Sequence, residues 1–252
     1  MVDLHCHVLP GIDDGPPDMA AALALARAQV AAGVTTVAAT SHVDWRSGNR
    51  AATLAAGMGP LRAALAEAAI PLEVVSGGEV GLTLAPDLGD DELTTLRLGG
   101  GPWLLLEAPL SPSTTGFERI VRHVQGRGHA ILLAHPERCP AVHRDPAVVE
   151  GLVRDGVLVQ VTAGAFDGVY GDRVRQVALD LVARGLVHVV ASDAHSADRR
   201  PPGLREPLAR AGLEGFAGWL CHDVPAAILA GGEIPPPPGP FPAPRRRRLF
   251  GR

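Results

Sequence analysis

The sequence predicts an α/β fold whose parallel strands close into a barrel. Seven short apolar runs, β-branched or leucine-rich, are typical of strands that are buried on both faces. Stretches of helical composition separate these runs, and the alternation favours a parallel sheet. Neither nucleotide-binding motif, GxGxxG or GxxxxGKS/T, occurs in the chain, which favours a closed barrel over an open nucleotide-binding sheet.

The elements follow one another in a regular order. The predicted strands occupy residues 2–5, 34–40, 72–77, 103–107, 130–134, 157–162 and 187–192. The first predicted helix runs through an Ala/Leu-rich stretch from Asp18 to Ala32 and ends at Gly33. Further helices are predicted over about 50–69, 114–126, 145–155 and 172–184, with one or two helical turns within 87–99.

Composition places the chain among ordinary globular proteins. Its 252 residues suit one large domain, and a hydrophobic content of 46% supplies a sizeable core. The net charge of −4 gives no reason to expect a nucleic-acid partner. Three scattered cysteines predict a reducing compartment rather than a disulfide framework. Because neither a signal peptide nor an apolar run of about 18 residues is found, we expect a cytoplasmic protein.

The end of the chain differs in character from the rest. We therefore predict a barrel over residues 1–232 and a flexible Pro/Arg-rich tail over residues 233–252. Proline at the density of Pro235–Pro238 joins neither a helix nor a strand ladder. A solvated tail is the simpler interpretation of Arg245–Arg248, and weak contact with an anionic membrane or an acidic partner is the alternative. The sequence does not determine the oligomeric state, and a homo-oligomer is one of the alternatives.

Nine acids and histidines lie at the ends of predicted strands or, for one of them, in the loop after the first strand. They are His5, His7, Asp14, His42, Glu79, Glu107, His135, Asp193 and His195. A charged group at the end of a buried strand is costly unless it has a partner. In barrels the chemistry gathers at the carboxyl ends of the strands. A shared metal centre explains the whole pattern at once.

Each of these residues also has an ordinary structural explanation when it is taken alone. Asp14 suits the start of a helix, His42 suits a core histidine, and Glu107 suits an internal ion pair with an arginine. Nine residues together exceed the roughly three protein ligands of a catalytic zinc site and suit two or three ions. Oxygen and nitrogen donors without a thiolate favour Mn²⁺, Fe or Zn²⁺. Such ions lower the pKa of water and neutralise substrate oxygens, which suits phosphate-ester hydrolysis.

Two arginines follow the candidate ligands closely. Arg138 comes three residues after His135, and Arg200 comes five residues after His195. A guanidinium fork matches phosphate oxygens, although a surface salt bridge is the alternative for either residue. Other hydrolase designs are excluded, because the chain holds no C-x5-R motif, no G-x-S-x-G motif and no lysine that could bridge two metals as a carbamate.

The combined motifs resemble the polymerase-and-histidinol-phosphatase (PHP) superfamily. Within it they are similar to the bacterial metal-dependent protein tyrosine phosphatases of capsule and exopolysaccharide synthesis, the CpsB/CapC type. The resembling segments are DLHCHVLPGIDDG at 3–15, GE at 78–79, HPER at 135–138, TAG at 162–164, ASDAH at 191–195 and RPP at 200–202. The resemblance implies a distorted (β/α)7 TIM-like barrel, the PHP fold, with three divalent ions, Mn²⁺ foremost.

The resemblance also implies a role for each candidate residue. One ion would be held by His5, His7, Glu79 and Asp193; a second, bridged by Glu79, by Glu107 and His135; and the third by Asp14, His42 and His195. The catalytic residues that bind phosphoryl oxygens would be Arg138 and Arg200.

The implied function is hydrolysis of protein phosphotyrosine, with a tyrosine kinase of capsule or exopolysaccharide synthesis as the protein partner. Two alternatives stay open: a small-molecule phosphoesterase of histidinol-phosphate or sugar-phosphate type, and a regulator that binds phosphopeptides without turnover. The chain departs from the usual family pattern at Ser41, Val43, Ala165 and Val169. We expect these four residues to line the entrance of the site and to alter substrate preference.

Overall fold

The computed structural model describes residues 1–111 and 116–242. Its strands are β1 (Val2–Cys6), β2 (Thr36–Ala39), β3 (His42–Val43), β4 (Glu73–Ser76), β5 (Glu79–Gly81), β6 (Trp103–Glu107), β7 (Ala130–Ala134), β8 (Leu158–Thr162) and β9 (Val189–Ala191). Its α-helices are α1 (Met19–Ala31), α2 (Ala51–Glu67), α3 (Asp90–Thr95), α4 (Phe117–Gly126), α5 (Pro140–Arg144), α6 (Ala147–Arg154), α7 (Ala163–Phe166), α8 (Asp172–Ala183), α9 (Arg205–Arg210) and α10 (Val224–Ala230). None of the helices in these ranges is long and apolar enough to span a bilayer.

The strands form two parallel sheets, and the predicted α/β fold is confirmed. One sheet has the order β1-β2-β4, and the other has the order β3-β5-β6-β7-β8-β9. Every pair of neighbouring strands in the two sheets is parallel. Parallel pairing brings the carboxyl ends of neighbouring strands to one side of the sheet.

Two of the predicted strands continue into a second short strand. After β2 the chain leaves the ladder at Thr40, whose hydroxyl accepts a hydrogen bond from the Cys6 amide at 2.9 Å, and resumes as β3. Between β4 and β5 it passes through Gly77 and Gly78. A Cβ atom on Gly78 would lie 2.7 Å from a methyl group of Leu96, so this crossing needs a glycine. Both connections carry the chain from the first sheet to the second.

Hydrogen bonds join the first strand to the last. The His7 amide donates to the Ala194 carbonyl at 2.9 Å, and the Asp193 amide donates to the His5 carbonyl at 2.8 Å. Beneath them the buried Asp3 carboxylate accepts from the Ser192 amide at 3.0 Å and from the Gln29 side chain at 2.8 Å. The ends of β1 and β9 are therefore held side by side.

Helices α1 and α8 begin and end close to where the sequence signals predict, whereas α5, α7 and α9 were not predicted. The Asp18 carboxylate accepts a hydrogen bond from the Ala21 amide at 2.9 Å, which caps the start of α1. Gly33 and Gly185 follow the ends of α1 and α8 with φ values of 81° and 70°, a region that favours glycine. The apolar faces of the helices cover strands such as β6, whose Leu104–Leu106 run is fully buried.

The first part of the predicted tail packs against the rest of the chain. The Trp219 indole N–H donates to the Pro235 carbonyl at 2.9 Å, and the Phe241 ring stacks on Phe216 with their centroids 4.4 Å apart. The proline content predicts a free tail, but this segment is packed. It contacts the rings of Phe216 and Trp219. The arginine run lies outside the described residues, and the domain boundary at residue 232 stays a prediction.

We expect Phe241→Ala to lower the free energy of unfolding by about 1–2 kcal/mol, since it removes a partly buried ring and its stacking contact with Phe216. Urea unfolding followed by circular dichroism measures the change. The exposed Pro238 provides a control as Pro238→Ala, which should unfold with the wild type. Coincident unfolding curves for Phe241→Ala and the wild type would show that the segment contributes nothing.

Candidate metal centre

The structure brings all nine candidate ligands to one side of the sheets. Each lies at or just after the carboxyl end of a strand or in a short second strand, except Asp14, which lies in the loop before α1. Their ligand atoms form four overlapping groups, each with atoms within 4.8 Å of one another. The groups are His5/His7/Asp193, His5/Glu79/His135, His42/Glu79/Glu107 and His7/Asp14/His42/His195.

The most deeply buried donors lie close enough together to share a metal ion. The Nε2 atoms of His5 and His7 lie 3.3 Å apart, and each lies 3.3 Å from Oε2 of Glu79. Oδ1 of Asp193 lies 3.4 Å and 3.6 Å from the same two nitrogens. A tetrahedron whose corners lie about 2.0–2.2 Å from a central ion has edges of about 3.3–3.6 Å. Five of the six distances among these four donors therefore match those around one ion.

Glu79 lies at the centre of the whole arrangement. Its Oε1 atom lies 2.8 Å from Nε2 of His135, and its Oε2 atom lies 2.9 Å from Nδ1 of His42. The register of β3 and β5 pairs His42 directly with Glu79, which explains the second contact. Oε2 is buried and accepts no bond of hydrogen-bond geometry from any residue that the structure describes. A buried carboxylate oxygen surrounded by imidazole nitrogens is suited to share a cation.

The third set of donors lies nearest to solvent. Oδ1 of Asp14 lies 3.1 Å from Nε2 of His195 and 3.5 Å from Nε2 of His42. Asp14 is 62% exposed, whereas His195 is only 4% exposed. The rings of His7 and His195 stack with their centroids 3.7 Å apart, so this set of donors is in direct contact with the buried set. The centre thus extends from the interior to the open end of the site.

Three imidazoles are held so that Nε2 faces the centre. Nδ1 of His5 lies 3.0 Å from Oε1 of Gln160, and Nδ1 of His7 lies 2.9 Å from Oδ2 of Asp13. Nδ1 of His195 lies 2.9 Å from the Asp193 carbonyl oxygen. An acceptor at Nδ1 assigns the proton to that nitrogen and leaves Nε2 free to bind a metal.

Sequence analysis missed Asp13 and Gln160. A signal for Gln160 was available, because it is the one polar side chain in the middle of the buried strand β8. Asp13 stands beside Asp14 and also accepts from the amides of Gly15 and His42. Burial raises the pKa of Asp13, but His7 and the two amides outweigh it and lower the value to about 2.

Several pKa values in the cluster are shifted by burial and by its neighbouring carboxylates. Burial and the neighbouring Glu79 carboxylate raise the pKa of Glu107 to about 7. Burial opposes charge on His5, but Glu79 and Asp193 outweigh it and raise its pKa to about 9. His135 differs, since burial lowers its pKa to about 4 and keeps a neutral imidazole that can bind metal. Divalent cations would supply the positive charge that protons otherwise provide.

Both predicted arginines face the centre. Nη1 of Arg138 and Nη2 of Arg200 donate to the same oxygen, Oδ2 of Asp193, at 2.8 Å and 2.6 Å. The Arg138 guanidinium lies 4.7 Å above the ring of Tyr170, the only tyrosine in the chain. Nε of Arg200 is buried and has no hydrogen-bond partner in the described part of the chain. Each arginine is therefore fixed beside the cluster by the same carboxylate oxygen.

Backbone strain marks two of the candidate ligands. Three non-glycine residues have positive φ within the described ranges, and two of them are His135 at 33° and Asp193 at 52°. Such a conformation is costly for a residue with a side chain, and it is concentrated at functional sites. His135 directly follows β7, and Asp193 lies two residues after the end of β9.

The cluster forms the floor of an open cleft of about 640 Å³. Asp14, His42, Glu107, Arg138 and Arg200 are among the residues that line it. A cleft of this size accommodates one small molecule or one side chain of a larger partner.

The expectation that the four departures from the family pattern line the entrance is wrong. None of Ser41, Val43, Ala165 and Val169 is among the residues that line the cleft. Val43 alternates with His42 along β3, so its side chain points to the opposite face and packs near Gly78. Ser41 and Ala165 are fully buried; Val169 is exposed and precedes Tyr170, but it is not among the lining residues. The effect of these residues on substrate preference stays a prediction.

Comparison with known proteins agrees with this geometry. Residues 1–213 match the family described as capsular polysaccharide synthesis, CpsB/CapC. Tyrosine-protein phosphatase YwqE of Bacillus subtilis (strain 168) is 32% identical over 264 residues, which cover 100% of this chain and 99% of YwqE. Tyrosine-protein phosphatase CpsB of Streptococcus pneumoniae is 28% identical over 216 residues, covering 82% of this chain and 87% of CpsB.

Solved structures support the same relationship. A crystal structure from work on YwqE and on CpsB of Streptococcus pneumoniae, described as unique metal-dependent tyrosine phosphatases, has a TM-score of 0.83 at 29% identity and covers 97% of this chain and 100% of that chain. Dihydropyrimidinase from Brevibacillus agri NCHU1002 has a TM-score of 0.53 at 12% identity over 93% of this chain and 72% of that chain, a likeness of fold alone. On these matches, the chain belongs to the CpsB/CapC family of capsular polysaccharide synthesis.

Proposed function

We propose that this chain is a metal-dependent phosphatase that hydrolyses phosphotyrosine in proteins. The observation that carries the proposal is the group of buried donors around Glu79, with two arginines fixed at its edge in an open cleft. The family and the names of its relatives, which are tyrosine-protein phosphatases, support this activity.

We assign three divalent ions, with Mn²⁺ as the expected metal, to the donor groups. As the family resemblance implies, His5, His7, Glu79 and Asp193 would hold one; Glu79, Glu107 and His135 the second; and Asp14, His42 and His195 the third. In the structure Glu107 is grouped with His42 and Glu79, and His135 is grouped with His5 and Glu79. When bound, such ions supply water of lowered pKa and neutralise charge on substrate oxygens. The donor spacing and the buried carboxylates support this assignment.

The arginines bind and orient the phosphoryl group. Asp193 accepts one N–H from each guanidinium group through a single carboxylate oxygen, so the proposed phosphate contacts use other N–H groups of the two arginines. The buried Nε of Arg200 is not one of them. Because the pKa of a phenol is about 10, a tyrosine leaving group needs little help from a general acid, and no residue is assigned that role.

We propose that the two sheets are parts of one distorted (β/α)7 barrel. The continuations of β2 into β3 and of β4 into β5 reduce nine strands to seven barrel positions. The bridge between Cys6 and Ala194 supports closure between the first and last positions. A barrel would explain why ligands from residue 5 to residue 195 converge at one end.

The expected substrate is a phosphorylated tyrosine kinase that regulates capsule or exopolysaccharide synthesis. The description of the family supports the process, and the open cleft is suited to an exposed phosphotyrosine on a protein. We expect the protein to act in the cytoplasm, and its three buried free cysteines suit a reducing compartment. Contact of the arginine tail with a membrane and a homo-oligomeric state stay predictions.

Removal of the metal should abolish activity reversibly. We expect protein treated with a chelator and dialysed to release no phosphate from a phosphotyrosyl peptide, and we expect Mn²⁺ to restore release. Sugar phosphates and histidinol phosphate serve as competing substrates for comparison of kcat/KM. A higher kcat/KM on either of them would favour the small-molecule phosphoesterase, and peptide binding without phosphate release would favour the regulator.

Loss of a candidate ligand should abolish turnover without unfolding the chain. We expect His5→Ala and Glu107→Ala to lower kcat on a phosphotyrosyl peptide by about 10²-fold or more in saturating Mn²⁺, since each removes a donor from the cluster. His123 lies exposed on α4, and His123→Ala is the matched control with wild-type activity. Normal turnover by His5→Ala would contradict the assignment.

Replacement of a guanidinium by an ammonium group should weaken phosphate binding. We expect Arg200→Lys to lower kcat/KM about 10- to 100-fold, because lysine keeps the charge but loses the forked donors. The adjacent Arg199 is exposed, and Arg199→Lys should leave kcat/KM unchanged. Equal values for the two variants would remove Arg200 from the phosphate site.

A further inference from the structure

The loop after β3 is held rigidly by its own side chains. Oδ1 of Asp44 accepts from the amides of Arg46 at 2.9 Å and Ser47 at 2.7 Å. The Ser47 hydroxyl and the Asn49 side-chain amide both donate to the His42 carbonyl, at 3.1 Å and 3.0 Å. The loop is therefore tied directly to a candidate metal ligand.

A close contact with β5 fixes the same loop from the other side. Asp44 packs on Gly81 so closely that a Cβ atom on the glycine would lie 2.9 Å from the Cβ of Asp44. Asn49 also donates to the Ile12 carbonyl at 2.8 Å, which joins the loop to the segment that holds Asp13 and Asp14. Trp45 lies at the turn of this loop, three residues after His42, on a backbone that has little freedom.

Trp45 is exposed although tryptophan is a residue that normally buries its ring. Its exposed fraction is 62%, and it is one of three large hydrophobic residues in the described part of the chain that are exposed. Trp45 and another of the three, Leu110, line the cleft that contains the metal cluster and both arginines. Val169, the third, does not line it. Exposed apolar surface is thus concentrated where a substrate enters.

We propose that Trp45 is a specificity-determining residue that selects an aryl phosphate by stacking its indole on the phenol ring. This inference rests on the proposed function and identifies how the same cleft recognises its substrate. In phosphotyrosine the ring carries the phosphate, so a phosphate bound by Arg138 and Arg200 places the ring in the cleft that Trp45 lines. A phosphoserine side chain has no ring and gains nothing from the indole.

The test is binding of two non-hydrolysable probes to the full chain loaded with Mn²⁺. Benzylphosphonate carries an aromatic ring, and methylphosphonate carries the same anionic group without one. We expect Trp45→Ala to weaken benzylphosphonate binding about 10-fold in calorimetry, through loss of stacking and burial, and to leave methylphosphonate binding unchanged. Trp45→Phe keeps an aromatic face and should recover most of the affinity. His123→Ala, on α4, is the control for loss of an exposed side chain outside the cleft.

Two results would overturn the proposal: equal weakening of both probes by Trp45→Ala, which would indicate disturbance of the loop, or no change for either. The matching kinetic expectation is a 10-fold lower kcat/KM of Trp45→Ala on a phosphotyrosyl peptide, with no change on a phosphoseryl peptide. Failure of the wild type to hydrolyse the phosphotyrosyl peptide would instead contradict the proposed function. The two binding measurements test the role of Trp45 whether or not the wild type hydrolyses the peptide.

Discussion

The rest of the site depends on one buried carboxylate, that of Glu79. Taking a negative charge out of water is expensive, and three further acids point toward the same few ångströms. The imidazoles of four histidines approach its two oxygens and make burial tolerable. Cations at this centre would satisfy the acids and the neutral imidazoles together. The strand order brings these groups together. The backbone at His135 and Asp193 takes positive φ values beside them, and the arginines hold the Asp193 carboxylate.

Convergence alone does not make a metal site, because each imidazole must present the correct nitrogen. Here the supporting acceptors come from three separate places: the loop after β1, the middle of β8 and the backbone after β9. Asp193 contacts both the histidines and the arginines. Its Oδ1 atom lies near His5, and its Oδ2 atom accepts hydrogen bonds from both arginines. A single side chain thereby sets the distance between the donor cluster and the two arginines.

Much of this centre could be predicted from the sequence, because its ligands follow strand ends and parallel strands end on one side. The parts that escaped prediction depend on long-range contacts. His5 and Gln160 lie 155 positions apart, and their pairing follows from strand order rather than from any local pattern. Val43 was expected at the entrance, yet strand alternation turns it away from His42. The packing of Phe241 against Phe216 could not be predicted from the proline content, because proline content indicates the backbone conformation of a segment but not its tertiary contacts.

The donor groups differ in their distance from water, and this gradient has a consequence for metal exchange. His5, His7 and Glu79 are fully enclosed, whereas Asp14 is mostly exposed. An ion held by the inner group can leave only after its neighbours have moved, while one held by Asp14 faces solvent directly. If ions occupy the donor groups as proposed, the inner ion would be held longer than the outer one, which would exchange readily. The availability of metal in the surroundings would then adjust the outer position without dismantling the fold that the inner position stabilises.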